Sequence, residues 1–166
     1  MSPSSKTSSH SVPKQHPQDS FAITSKPLSL TEVYALAEEP ANGAVVVMSG
    51  TVRSQTDGKS VVALDYQAYE PMALQVFNSI AIEIRNNWSQ VRRVVIHHRL
   101  GYLKIGEISV LVAVGSPHRS EAFAACKYAI DTLKYNAPIW KKEYLSTPDG
   151  KTSSTWVNIG AWEQAE

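Results

Sequence analysis

Two short apolar runs constrain this chain most. Ala44 to Met48 is continuous and carries three β-branched valines, and Ile108 to Val114 is nearly continuous. Both read as buried strands, being too short for helices and rich in β-branched residues. Around them, Val62, Leu64, Tyr66 and Ala68 alternate with Ala63, Asp65, Gln67 and Tyr69, as in a half-buried strand. Asp57-Gly58 lies before that segment as a turn signal, so it is expected to form a hairpin with the strand beginning at Ala44. Val91 to His98, Ile139 to Leu145 and Ser154 to Ile159 are further strand candidates.

Three helices are expected between them. Ser29 and Glu32 form a capping-box pattern, with Leu28 and Val33 as its hydrophobic staple. Pro71 suits a first helical turn, and Ala73, Val76, Phe77, Ile80, Ala81 and Ile84 follow at helical spacing. Ser116-Pro117 suits a third start, with Phe123, Cys126, Ala129, Ile130 and Leu133 as its buried stripe and Asn136-Ala137-Pro138 as its stop. Paired strands separated by single helices indicate an α+β fold with a largely antiparallel sheet, not a doubly wound one.

Residues 1–27 read differently. They hold eight serines, four of the nine prolines and five apolar residues. Too little apolar surface is present to offset ordering entropy, so a disordered tail is expected, followed by a single catalytic domain over 28–166. The lone cysteine, Cys126, excludes an intrachain disulfide and suits a reducing, cytoplasmic setting. Its place on the apolar stripe favours a packing role over reactivity. His97 and His98 are neighbours on a strand, face opposite sides, and cannot make a same-face metal pair. No apolar stretch approaches the roughly 18–20 residues of a membrane span, and neither metal nor nucleic-acid motifs are present.

The formal net charge is +1, from 16 basic and 15 acidic residues. That balance argues against a general nucleic-acid-coating protein. Yet Arg92 to Lys142 holds nine bases against Glu107, Glu121 and Asp131. Within it, Ser116-Pro117-His118-Arg119-Ser120 sits where a strand feeds a helix N-terminus, a place suited to anions. An ordinary N-cap with exposed polar side chains fits the same residues. Lys134 falls at that helix's end, where the dipole favours lysine, and Lys141 lies just beyond Pro138. In a walled pocket, lysines of this kind act as nucleophiles or acid–base groups. Arg53 ends a buried strand and either reaches a pocket or sits at its rim.

His118-Arg119-Ser120, Phe123 and the block Leu133-Lys134-x-x-Ala137-Pro138-Ile139-Trp140-Lys141-Lys142-Glu143 together resemble the large, catalytic subunits of molybdopterin synthase. Gly50-x-Val52-Arg53, Tyr69-x-x-Met72 and His98-Arg99-Leu100-Gly101 extend the resemblance from about Gly43 to Val157. It implies a hammerhead-type α+β fold, a dimer of this subunit, and one small ubiquitin-like sulfur-carrier subunit on each copy, giving a heterotetramer. It implies transfer of two sulfurs from the carrier's C-terminal Gly-Gly thiocarboxylate to cyclic pyranopterin monophosphate, with no metal or cofactor needed. Lys134 and Lys141 match the family's active-site lysines; Arg53, His118 and Arg119 match its substrate-binding positions.

Some positions depart from the family pattern. Thr51 stands where many relatives carry a first arginine, and Asn158-Ile159-Gly160 follow Trp156-Val157 where some carry another. Two other functions remain compatible with the basic segment: a non-catalytic adaptor for a ubiquitin-like tail, and a module binding a phosphate ligand or RNA.

Overall fold

The computed structural model describes residues 14–158. Its elements are β1 (Ser20–Thr24), α1 (Leu30–Ala37), β2 (Ala44–Thr51), β3 (Gln55–Thr56), β4 (Lys59–Ala68), α2 (Glu70–Asn87), β5 (Arg93–Arg99), β6 (Gly101–Lys104), β7 (Ile108–Ser116), α3 (Arg119–Asn136), β8 (Ile139–Ser146) and β9 (Thr152–Asn158). The expected α+β class holds, but the strands divide into two sheets. One has the order β1-β5-β7-β2; the other runs β3-β4-β8-β9, with β6 also on β4. Every ladder is antiparallel except β1–β5.

The apolar runs explain the layering. On β5 and β7, Val94, Ile96, Val110, Val112 and Val114 join the large core with α2 and α3. Val95, Leu111 and Ala113 point the other way and pack with Val33 and Ala37 of α1. On β2, Val46 and Met48 face the large core, while Val45 and Val47 face α1. Strands covered on both faces lose the polar alternation of a one-sided sheet. The α1 cap forms as expected, with Glu32 N–H donating to Ser29 Oγ at 3.2 Å.

Four expectations are corrected. The tail boundary at residue 27 is too late, because Ser20–Thr24 is a strand paired in parallel with Val95–Arg99. Phe21 packs edge-on to Phe77 at 6.5 Å. Just before it, the buried Asp19 carboxylate accepts from Arg85 Nη1 and Nη2 at 2.7 and 2.6 Å and from Val94 N–H at 2.9 Å. Local composition missed this strand because its partners lie more than 50 residues away. Residues 1–13 lie outside the described set.

The β2–β4 hairpin is the second correction. Asp57 and Gly58 do make a two-residue turn, both with positive φ (49° and 73°). That turn joins β3 to β4, whereas β2 pairs with β7. The register of β2 shifts between Gly50 and Thr51, and the chain then leaves for the second sheet. Third, Ser116 is not the cap of α3. It is the buried last residue of β7, and His118 occupies the cap position without a side-chain cap bond. Fourth, Phe123 does not join the α3 stripe; it is 62% exposed, while Ala122, Ala125, Cys126, Ala129, Ile130 and Leu133 are buried.

Candidate functional site

The two sheets meet at a cavity of about 540 Å³. The first sheet supplies Met48, Gly50, His98, Ser109 and Val110; the second supplies Leu64, Tyr66, Lys141 and Glu143; Leu133 and Lys134 come from the last turn of α3. Arg53 reaches it from the link between β2 and β3.

Local sequence explains each placement. Ala137 is held extended by the proline after it, which stops α3 directly after the turn bearing Lys134. The chain then enters β8, where Ile139, Lys141 and Glu143 share one face at period two. In the β4–β8 ladder, Lys141 lies opposite Tyr66 and Glu143 opposite Leu64. The inward face of β8 thus carries a base and an acid, with Lys141 Nζ 3.1 Å from Glu143 Oε1. Trp140 projects from the opposite face and is 42% exposed, so it does not wall the cavity.

Arg53, Lys134 and Lys141 are therefore brought together at one cavity. His118 and Arg119 are not. Both are exposed at the start of α3, and fifteen residues of helix separate Arg119 from Lys134, roughly 22 Å at 1.5 Å per residue. Thr51 also lines the cavity. Asn158 ends β9, while Ile159 and Gly160 lie outside the described residues.

Four buried polar lining residues were not singled out from sequence as site residues. Tyr66, His98, Ser109 and Glu143 are all buried and all line the cavity. Burial pushes the His98 ring down to about 4, against a weaker opposing effect from its hydrogen bond with the Arg99 carbonyl. Burial also raises the Tyr66 phenol, with the Glu143 carboxylate acting in the same sense and the Ser109 hydroxyl bond opposing. At neutral pH both rings are uncharged. The signal that could have found them was present: Tyr66 and Leu64 alternate inward on one strand, and His98 alternates with Ile96 and Val94.

The basic segment does not form one charged patch. Arg92 and Arg93 both pair with Glu39 at 3.2 Å. Arg99 pairs with Glu107 at 3.3 Å and Lys127 with Asp131 at 2.5 Å. The opposing acids Glu39 and Glu143 come from outside the Arg92–Lys142 window, which is why linear counting overstated its charge. Cys126 is buried, its thiol pushed up to about 11 by desolvation, and its Sγ contacts the Val112 carbonyl at 3.7 Å. A thiol in that state is a packing group, as expected. Among the described residues, no cluster of His, Cys, Asp and Glu has the makings of a metal site, and no helix is long and apolar enough to cross a membrane.

Comparison with known proteins identifies the family. The family model "MoaE protein" matches residues 23–136. The molybdopterin synthase catalytic subunit of Nostoc sp. is 71% identical over 148 residues, spanning 89% of this chain and 87% of that protein. The subunit of the same name from Taeniopygia guttata is 44% identical, over 76% of this chain and 82% of its own. Among solved structures, molybdopterin synthase from Staphylococcus aureus superposes with a TM-score of 0.75 at 37% identity, covering 86% of this chain and 98% of that one. A complex of subunits 1 and 2 of molybdopterin-converting factor from Helicobacter pylori gives 0.60 at 25% identity, over 81% and 88%. The chain therefore belongs to the MoaE family, whose curated relatives are molybdopterin synthase catalytic subunits.

Proposed function

We propose that the cavity between the two sheets is where this chain, as a molybdopterin synthase catalytic subunit, transfers sulfur to cyclic pyranopterin monophosphate. The observation that carries the site assignment is the convergence of Arg53, Lys134 and Lys141 on one cavity from three separate elements. Both reactants are anionic: the substrate bears a phosphate, and the carrier brings a C-terminal thiocarboxylate. Fixed cations at the meeting place of two anions lower their mutual repulsion and stabilise charge that develops during transfer.

The roles divide by position. Lys134, at the end of α3, contacts the carrier tail and the reacting carbon. Lys141, tethered to Glu143, moves a proton or stabilises the negative charge that develops as water cleaves the carrier's acyl–sulfur bond, leaving the sulfur on the substrate and the carrier as a carboxylate. Arg53 binds phosphate at the exposed side. His118 and Arg119 lie too far along α3 to serve the same chain's cavity, so in a dimer they complete the site of the other copy. The small ubiquitin-like subunit binds with its Gly-Gly end in the cavity, giving a heterotetramer. The two-subunit complex from Helicobacter pylori is in keeping with such a partner. A cytoplasmic location fits the single buried, unreactive thiol.

The test is reconstitution. The full chain, thiocarboxylated carrier and cyclic pyranopterin monophosphate should yield the dithiolene product, and Lys134→Ala should slow it roughly 100-fold or more. A chain that binds carrier equally well with carboxylate or thiocarboxylate, and yields no product, is an adaptor instead.

A further inference from the structure

His98 is the most buried polar group lining the cavity, at 2% exposure. Its Nδ1 lies 2.9 Å from the Arg99 carbonyl oxygen. A carbonyl only accepts, so Nδ1 carries the hydrogen and donates it. In a neutral ring the other nitrogen, Nε2, is then a bare acceptor. The ring's hydrogen bond to the Arg99 carbonyl uses Nδ1 and leaves Nε2 for the cavity. The Tyr66 ring fixes the imidazole edge-on at 5.1 Å, and Val110 lies opposite it in the β5–β7 ladder. Nε2 is not among the fully buried side-chain atoms left without a partner, so it is open to the cavity, where an N–H or O–H of a ligand can reach it.

The remaining charges sort what that something is. Phosphate and thiocarboxylate offer no hydrogen at neutral pH, and Arg53, Lys134 and Lys141 already attract them. A neutral acceptor in a cavity that also holds the Glu143 carboxylate selects a donor rather than an anion.

We propose that His98 is a substrate-binding residue: Nε2 accepts a hydrogen bond from an N–H or O–H of the nitrogen heterocycle, setting its orientation while the cations hold its phosphate. This rests on the reading of the cavity given above. The cavity thereby has two chemically distinct ends, one for anions and one for the uncharged ring system.

Two measurements test it. In the full chain with non-thiocarboxylated carrier, so that no turnover occurs, 15N-histidine spectra should show His98 Nε2 as an unprotonated nitrogen. Its resonance should move upfield when cyclic pyranopterin monophosphate is added. In turnover assays, His98→Asn keeps a donor for the Arg99 carbonyl and removes the Nε2 acceptor. It should raise KM for the pterin roughly tenfold, change kcat little, and leave KM for the carrier unaltered. His98→Gln restores an acceptor near the Nε2 position and should recover part of the loss. If the wild type converts substrate but Nε2 does not move, or if His98→Asn leaves the pterin KM unchanged, the assignment is wrong. A wild type that neither binds nor converts the pterin overturns the functional reading and this assignment with it.

Discussion

Lys141 Nζ lies 3.1 Å from Glu143 Oε1, with 19% of the lysine side chain and 6% of the glutamate side chain exposed. Oε1 has no aligned hydrogen bond, so the contact is ionic. The two residues share the inward face of β8, which makes the pair a fixture of the strand rather than of a loop. Removing either charge leaves the other buried without its counter-ion, a change that typically costs about 3–5 kcal/mol. Glu143→Ala should therefore lower stability by about 3 kcal/mol in urea unfolding. Lys141→Ala should do the same and, in single-turnover assays with thiocarboxylated carrier, also slow sulfur transfer by about 100-fold or more. A Lys141→Ala variant that is destabilised yet transfers sulfur at the wild-type rate would confine this lysine to a structural role.

The buried His98 makes stability depend on pH. Its ordinary value of 6.5 falls to about 4 in the folded state. Below 6.5 the unfolded chain takes up a proton that the folded chain refuses, so the unfolded state binds more protons. Stability from this group is complete above 6.5 and is lost as pH falls towards 4. The difference amounts to about 3 kcal/mol. His97 shifts in the same direction, through burial opposed by Glu32, and adds to the slope. Urea midpoints measured from pH 7.5 to 4.5 should fall for the wild type, and His98→Asn should be flatter over that range. Equal slopes would show that the ring takes up its proton in the folded state as readily as in the unfolded chain.

How much of this was legible in the sequence depends on how far apart the partners lie. The Ser29 cap, the Asp57-Gly58 turn and the α3 stop at Pro138 are set by residues within a few positions of each other, and all three form. The convergence of Lys134 and Lys141 follows from one short break between a helix and a strand. The β1 strand was hidden because its stability comes from Asp19 meeting Arg85 and Val94, and from Phe21 meeting Phe77. The separation of β2 from β4 was hidden for a related reason. A turn signal states that two segments reverse, but not that the preceding strand has already left for another sheet. His98 was visible as a residue but not as a lining group, since only the second sheet's arrival puts Tyr66 against it.

The N-terminal segment yields the third prediction. Removing residues 1–13 takes away none of the contacts described, whereas removing 1–27 deletes β1 and the Asp19 carboxylate. The Asp19 carboxylate accepts three hydrogen bonds, two of them from one guanidinium. Asp19→Ala should cost about 3 kcal/mol by stranding Arg85, which lowers Tm by roughly 6–12 °C for a chain of this size. Deleting 1–27 should cost at least as much. Calorimetry on the two truncations and the point variant separates these cases, and an unchanged Tm for the longer deletion would show that β1 adds nothing.

Gly115 gives the sharpest packing prediction. A Cβ built there would lie 2.2 Å from the Ala37 carbonyl oxygen and 2.3 Å from Asn42 Nδ2. The first is backbone at the end of α1, and the second is fixed by donating to that same carbonyl at 3.0 Å. Neither can swing aside as a long flexible side chain would, so Gly115→Ala must push α1 off the face made by Val95, Leu111 and Ala113. Overpacking of this kind costs about 1–3 kcal/mol, and more where backbone has to move. The cavity lies on the opposite side of the sheet, lined by Val110 and His98. Gly115→Ala should therefore lower the urea midpoint while the protein that remains folded keeps its KM for the pterin. A variant with wild-type stability would mean that α1 sits further from β7 than the 2.2 Å approach allows.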